Sequence, residues 1–574
     1  MKIIPSHLKP YAAEQHYDRY TPINHAVWRY VMRQNRHALH DKAHSAFVDG
    51  LLRSGIETEK IPRVSEMNEC LSKIGWGAII VNGLIPGSVF YELLAGGILP
   101  IAAEIRKITN IEYTPAPDII HEAAGHAPIL FDPEYRSYVQ KIGSIGTKAF
   151  SMKERSEAFE ALRQLTIVME DPKSTAEEKA AAQKVVEEKQ NAVIGLSEAE
   201  KVSRLFWATV EYGLIGDMTD PKIYGAGLLS SVGESKHCFT DAVKKLPYSV
   251  EACIESPKLV TEMQSQLFVC KSFDELMEGV EALANTMAFR VGGTESLEKA
   301  LRSGNIATFE FNSGISVTGK VQALVKDQNG EAIYVNTKGE TALAVHNQPL
   351  EGHGKDDHSK GFGTPIGMLQ GDIALEACDD QALEQLGMVA GNFVDILFAS
   401  GISVSGRITG IIRNNHHVIL ISFEDCTVTL DGNELFKKEW GTYDMAVGSR
   451  IVSAYPGAAD PASYFRAAHE QAESMKKEPP SPLSELEILY RKAAAIREKN
   501  TFTDECIQEL CDIHNELRRS YPKDWLLRLE LLELAASRPE LKQLELPLKE
   551  ELTALSKAAS MTNLIKNGIS IIPP

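Results

Sequence analysis

No run of apolar residues in this chain approaches the ~20 that a membrane-crossing helix needs. Its opening segment, MKIIPSHLKPYAAEQHYDRYT, has no apolar core of the kind a secretion signal carries. Cysteine is sparse: Cys70, Cys238, Cys253, Cys270, Cys378, Cys426, Cys506 and Cys511 are scattered through 574 residues without a CxxC pair. That pattern points to free thiols in a reducing compartment and excludes a disulfide framework. Positive charge is in deficit, with 60 Lys and Arg against 78 Asp and Glu, a formal net charge of −18. Such a surface lacks the broad basic face that nucleic acid or an anionic membrane requires. What remains is a cytoplasmic globular protein, 44% hydrophobic and 24% charged. Its length exceeds one hydrophobic core and predicts about two to four domains.

Composition then divides the chain. Residues 1–300 read as mainly helical with short strands; Val27, Trp28 and Val31, for example, recur at helical spacing. Within them, residues 151–199 are rich in Glu, Lys, Ala and Gln, with a break at Asp171-Pro172-Lys173-Ser174, which predicts a charged helical hairpin with Ser174 or Thr175 as N-cap. Residues 301–455 alternate β-branched and polar residues and contain an internal repeat. Phe311-Asn-Ser-Gly-Ile-Ser-Val-Thr-Gly-Lys-Val321 is echoed by Phe398-Ala-Ser-Gly-Ile-Ser-Val-Ser-Gly-Arg-Ile408. Each copy is followed by a second β-like run, Ala332–Val335 and His417–Ser422, so two copies of a small β unit are expected. Gly352–Gly371, between the copies, reads as an exposed linker, and His353 and His358 as its polar residues rather than metal ligands. Residues 456–574 turn helical again, as at Leu483–Tyr490 and Trp525–Leu534.

Chemistry concentrates in one segment, Tyr113-Thr-Pro-Ala-Pro-Asp-Ile-Ile-His121-Glu-Ala-Ala-Gly-His126-Ala-Pro. On an ideal α-helix a five-residue step turns about 140°, so His121 and His126 meet on one ion only if the backbone departs from α-helix between them. Gly125 is the residue that would permit it, and the helix is expected to end near His126. A third candidate ligand, Glu211, stands in the apolar helical run Phe206-Trp-Ala-Thr-Val-Glu-Tyr-Gly213; glutamate is rarely buried without a charge partner or a metal. Two imidazoles and one carboxylate on one face of an ion leave positions open for oxygen chemistry at Fe(II), although zinc takes the same ligand types.

These residues, with Trp207–Leu214 and Tyr224-Gly-Ala-Gly-Leu-Leu-Ser-Ser-Val-Gly-Glu234, resemble the pterin-dependent aromatic amino acid hydroxylases. The similarity extends upstream to Gly83-Leu-Ile-Pro-Gly-Ser-Val-Phe90 and Arg106, and covers about residues 15–290 in motif order. The resemblance implies a monooxygenase that uses Fe(II), a tetrahydropterin and O₂ to hydroxylate an aromatic amino acid. His121, His126 and Glu211 would be the catalytic iron ligands. Arg106 would take the substrate carboxylate, with Thr114, Trp207, Gly227 and Ser230 around the amino acid. Gly83, Leu84 and Gly87 would bind the pterin edge, Phe90 would stack on its ring, and Glu122 would reach it through water.

Departures from the family fall at Pro100, where a histidine is usual, at Leu267, where a tyrosine is usual, and at Phe206 in place of tyrosine. Val269 favours phenylalanine as substrate over tyrosine or tryptophan. The family's tetramerisation helix is not evident, and the C-terminal regions are expected to serve assembly as a homo-oligomer, regulation or partner binding. The competing readings are a scaffold that keeps the fold without catalysis, and a zinc hydrolase.

Overall fold

The structure, a computed structural model, describes residues 2–81, 85–112, 118–170, 174–259, 262–465, 482–499, 501–557 and 561–572. Helix α1 (Pro22–Leu39) begins at Thr21, whose side chain accepts from the amide of Asn24, with proline at the first helical position. Its apolar stripe of Val27, Trp28 and Val31 is fully buried. Strand β1 (Gly77–Val81), helix α2 (Gly87–Ala95) and strand β2 (Ile98–Ala102) form a small parallel unit, with Gly77 opposite Ile98. A π-helical turn (Ile120–His126) follows and leads toward α3 (Pro133–Gly146).

The charged hairpin is present as α4 (Lys153–Glu170) and α5 (Ala176–Asn191). Thr175 caps α5 in a reciprocal pair with Glu178, and Lys189 Nζ lies 2.6 Å from Glu157 Oε2 across the hairpin. Asp171, Pro172 and Lys173 lie outside the described residues. Helix α6 (Glu198–Phe206) runs directly into a second π-helical turn (Trp207–Glu211). Beyond it come β3 (Leu214–Ile215), β4 (Lys222–Ile223), the short helix α7 (Ala226–Leu229), β5 (Lys244–Pro247), β6 (Gln266–Cys270), α8 (Phe273–Ala284) and α9 (Gly293–Ser303). The four strands make one sheet in the order β4-β3-β6-β5.

The sequence repeat is a repeat of topology. In the first copy β7 (Ile306–Phe311) pairs with β8 (Ile315–Lys326), β8 with β9 (Ala332–Val345), and β10 (Gly363–Pro365) returns to β9 at Tyr334–Asn336. In the second copy β11 (Phe393–Leu397) pairs with β12 (Ser403–Asn414), β12 with β13 (His417–Leu430), and β14 (Tyr443–Ala446) returns to β13 at Leu420–Phe423. Gly314 and Gly401, at the same place in the two motifs, have φ of +93° and +87°. That left-handed conformation explains why both copies spell Ser-Gly before the long strand. Strand β15 (Ile451–Pro456) closes the region by pairing with β7. The segment expected to be an exposed linker differs from that reading. It supplies β10 and the buried Phe362, Thr364 and Ile366, because strand pairing to β9 satisfies its backbone and lets its apolar residues enter the core.

Helices α10 (Glu485–Arg497), α11 (Asp504–Ser520), α12 (Leu526–Ala536), α13 (Lys542–Leu555) and α14 (Thr562–Ser570) fold back against α1. Their buried residues, such as Tyr490, Leu510, Leu529 and Ile565, belong to one continuous apolar cluster with Trp28, Ile120 and Val210. Tyr30 donates to the carbonyl of Leu564 and packs edge-on against Trp525. Arg29 Nε meets Glu530 Oε1 at 2.5 Å, both side chains almost wholly buried. Among the described residues no helix is long and apolar enough to cross a membrane.

Near the start of α1, His25 Nδ1 accepts from the amide of Ile61, which requires that nitrogen to be unprotonated. Burial, reinforced by Arg29 and Lys60, pushes its pKa down to about 4 from 6.5. The unfolded chain therefore binds a proton between those values that the folded chain does not, and stability should fall as pH drops from 6.5 towards 4. The loss from this group should reach on the order of 3 kcal/mol near pH 4. Thermal melting across that range should show a shallower slope in His25→Asn, which keeps an acceptor but cannot titrate; an unchanged slope would rule His25 out as the cause.

Candidate metal centre

Each side chain of the centre is delivered by an over-wide helical turn. In the first π-turn residues five apart are joined through i→i+5 hydrogen bonding, so His121 and His126 come round to one side. Their Nε2 atoms are 3.2 Å apart and their rings nearly perpendicular, at 88°. The second π-turn ends on Glu211, whose Oε2 lies 3.1 Å from His121 Nε2 and Oε1 3.4 Å from His126 Nε2. The departure from α-helix that the spacing demanded is therefore present, but its cause differs from the expected one. Gly125 does not have positive φ. It is needed because a Cβ there would stand 2.6 Å from the carbonyl oxygen of Ala226 on α7. The π-turn itself ends at His126, in line with the expected end near that residue, and a three-residue α-helical segment, Ala127–Ile129, follows with Pro128 in it.

The same short helix receives the other turn. A Cβ on Gly225 would sit 2.5 Å from the carbonyl oxygen of Glu211, and one on Gly227 would meet that oxygen and the Tyr212 ring at about 3 Å. Gly227, expected beside the amino acid, thus lies against the backbone that carries Glu211. From the end of α7, Ser230 reaches behind His121. Its Oγ donates to the carbonyl of Ala226 at 2.7 Å, so it can only accept from His121 Nδ1 at 3.0 Å. That fixes the proton on Nδ1 and leaves the Nε2 lone pair facing His126 and Glu211.

The surroundings are asymmetric. Glu122 is buried 3.8 Å from His126 Nε2, and its Oε2 has no hydrogen-bond partner. Burial pushes its carboxyl up to about 8. Arg106 is buried and grips Asp118 with two parallel bonds of 2.8 Å from Nε and Nη2. Among the described residues its Nη1 makes long contacts, 3.4 Å to the carbonyl of Ser230 and 3.5 Å to that of Ile111. Asp118 also accepts from the amide of His121, tying the arginine to the first π-turn. Burial would raise the Asp118 carboxyl, and the charge and hydrogen bonds of Arg106 reverse that to hold it low. Sequence reasoning passed over Asp118, although it stands inside the quoted motif three residues before His121.

Trp207 opens the second π-turn, half-buried, donating through Nε1 to Gln264 Oε1 at 3.2 Å and packing on Tyr212. Gln264 is held in turn by the buried Glu234, which accepts from its amide. Neither had a signal in spacing alone. Phe90, half-buried on α2, packs edge-on to Phe206 with centroids 5.5 Å apart. Gly87, at the start of α2, is exposed. Gly83, Leu84 and Thr114 lie outside the described residues.

The donor set fits a divalent iron. Adjacent ligand atoms on an octahedral ion of this size stand ~3 Å apart, close to the 3.1–3.4 Å edges between His121, His126 and Glu211. The unpartnered Glu122 oxygen beside them fits a hydrogen-bonding cofactor. Since Ser230 fixes the ligating tautomer of His121, Ser230→Ala is expected to weaken Fe(II) binding by about 10- to 100-fold. Competition with a chelator reads this directly, and unaltered affinity would dismiss the serine's role.

Residues 12–169 and 179–292 match the family model described as biopterin-dependent aromatic amino acid hydroxylase, with the break at the tip of the α4–α5 hairpin. Among curated relatives, the phenylalanine-4-hydroxylase of Ralstonia nicotianae is 27% identical over 308 residues, covering 52% of this chain and 84% of that protein. That of Chromobacterium violaceum is 28% identical over 263 residues, covering 46% and 74%. A solved structure of the Chromobacterium violaceum phenylalanine hydroxylase, with bound oxidized Fe(III), is 25% identical and covers 48% of this chain and 86% of that one, at a TM-score of 0.38. All three converging side chains, the arginine and its aspartate fall within the matched span, and residues 12–292 of this chain belong to the biopterin-dependent aromatic amino acid hydroxylases.

Proposed function

We propose that this chain hydroxylates the ring of phenylalanine to give tyrosine, using Fe(II), a tetrahydropterin and O₂. The observation that carries the reading is the meeting of His121, His126 and Glu211 in one buried cluster, with an unpartnered carboxylate oxygen of Glu122 alongside. When bound, the iron and the pterin together supply the reductive activation of O₂. The protein's own part is to hold, orient and keep dry.

His121, His126 and Glu211 would hold the iron from one side, a donor set that suits oxygen chemistry. Ser230 keeps His121 in the ligating tautomer. Arg106, its fork closed on Asp118, turns Nη1 toward the carboxylate of the amino acid. Trp207, held by Gln264, offers a broad apolar face for the substrate ring. Phe90 would offer one for the pterin, the Gly83–Gly87 segment would bind its edge, and Glu122 would supply a hydrogen-bonding oxygen that is without a partner among the described residues. Thr114 completes the amino-acid side. Apolar packing around both π-turns excludes bulk water, which strengthens each of these polar contacts.

Val269, on β6, is an apolar side chain and supports phenylalanine over a hydroxylated ring. The relatives that cover most of their own length are phenylalanine-4-hydroxylases, which supports the same choice. Residues 1–300 form the catalytic part in this reading, with 151–199 as an insertion. Residues 301–455 and 456–574 serve assembly or regulation. All eight cysteines are free, in keeping with a cytoplasmic setting.

The deciding measurement is an amino-acid product assay with phenylalanine, tyrosine and tryptophan in turn. Tyrosine should form from phenylalanine only when Fe(II) and tetrahydropterin are both present, and His121→Ala should fall to background. Preferential turnover of tryptophan would reassign the substrate, and no turnover of any of the three would overturn the reading.

A further inference from the structure

A second pair of histidines five residues apart, His353 and His358, lies in the segment between the two β copies. The polar-linker reading of this pair is corrected by the fold, because the segment is pinned at both histidines. The carbonyl of His353 accepts from the amide of Leu343, and that of His358 from the amide of Thr341, both on β9. Between them Asp357 caps the tight turn by accepting from the amide of Gly354. The result turns the two rings nearly parallel, 15° apart, with His353 Nδ1 3.3 Å from His358 Nε2. The edge of Phe362 packs against His358.

A carboxylate from the other β copy faces them. Asp444, on β14, brings Oδ2 to 3.6 Å from His353 Nδ1 and 3.8 Å from His358 Nε2. Its other oxygen is taken by the hydroxyl of Ser422, the residue directly opposite on β13, so the orientation of the carboxylate is fixed. All three side chains are close to nine-tenths buried. The spacing separates two explanations. At 3.6 and 3.8 Å the carboxylate is beyond hydrogen-bond reach of either ring, so no hydrogen bond between charged partners accounts for the arrangement. A tetrahedral ion with bonds of about 2.0–2.1 Å, by contrast, sets its ligand atoms about 3.3 Å apart, which the triangle meets with a shift of a few tenths of an ångström.

We propose that His353, His358 and Asp444 bind one divalent transition-metal ion of the Zn(II) class, with water in the fourth position. The ion ties the loop of the first β copy to the sheet of the second. Two imidazoles and a single carboxylate suit zinc better than calcium or magnesium, which take oxygen ligands. The carboxylate is already oriented, since Ser422 holds Asp444, and the β9 amides pin the loop backbone at both histidines. The copies also meet directly at the same junction, where Phe362 and Ile366 lie in one apolar cluster with Leu420 and Ala446 and the hydroxyl of Thr364 on β10 donates to the carbonyl of Ala446 on β14.

The test is zinc stoichiometry of the full-length, metal-stripped protein, read by equilibrium dialysis and metal analysis. Wild type should take up two zinc ions per chain, one at each centre, and Asp444→Asn or His358→Ala one. A His121→Ala/His126→Ala chain should keep one, and its melting temperature should rise by several degrees with zinc, a gain that adding Asp444→Asn removes. If His358→Ala does not fold, the Asp444→Asn count and the melting shift of the His121→Ala/His126→Ala chain still decide. One zinc in wild type, or a second equivalent that survives Asp444→Asn, would overturn the proposal.

Discussion

The catalytic half of this protein is organised around a helix that must turn too widely. Two imidazoles five residues apart cannot face one ion from an α-helix, and the chain meets the demand with a π-turn at Ile120–His126. A π-turn is less favourable than α-helix and persists where its surroundings over-determine it. Here the over-determination is contact of backbone with backbone. Gly125 lets the turn sit against the carbonyl of Ala226, and Gly225 lets the same short helix sit against the carbonyl of Glu211. The two π-turns are thus referenced to one helix of four residues, and the distance between the histidines and the glutamate is set by close packing rather than by side-chain reach.

Charge is placed with equal economy. Buried ions are costly unless paired, and the pairs here join distant segments of chain. Arg106 and Asp118 lock the segment after β2 to the first π-turn, and Arg29 and Glu530 lock the first long helix to the C-terminal helices. Glu122 and Glu234 are not paired in this way: each is buried with one oxygen unpartnered among the described residues, and burial pushes its carboxyl up, to about 8 and about 7.

Much of the centre was legible in the sequence because metal ligation constrains residue type and spacing together. His121, His126 and Glu211 announced themselves, as did the need for a break from α-helix between the histidines. The reason for Gly125 did not, since whether a glycine serves φ freedom or close approach depends on what packs against it, here a helix a hundred residues away. Asp118 was passed over for a related reason: an aspartate before a helix reads as a cap, and only the fold shows it clamping Arg106. The β repeat was readable from Ser-Gly-Ile-Ser-Val and its echo because left-handed glycines recur at fixed points in a repeated hairpin. That the C-terminal helices share a core with α1 was not readable, since an amphipathic pattern says that a face is buried and not against what.

The two histidine pairs make the last comparison. Both are separated by five residues, yet only the first was given chemical weight, because a third candidate ligand, Glu211, and the family motif stood with it, while the second stood in a Gly/Asp-rich segment. The fold removes that distinction. In one case a widened helical turn brings the rings together, and in the other a capped loop pinned to a strand does so. In both the carboxylate comes from far along the chain, Glu211 from the next turn of the same core and Asp444 from the second β copy. Spacing between histidines is therefore weak evidence by itself, for any local structure that reverses direction within five residues can satisfy it. What discriminates is whether a distant carboxylate arrives beside both rings, and that property belongs to tertiary structure alone.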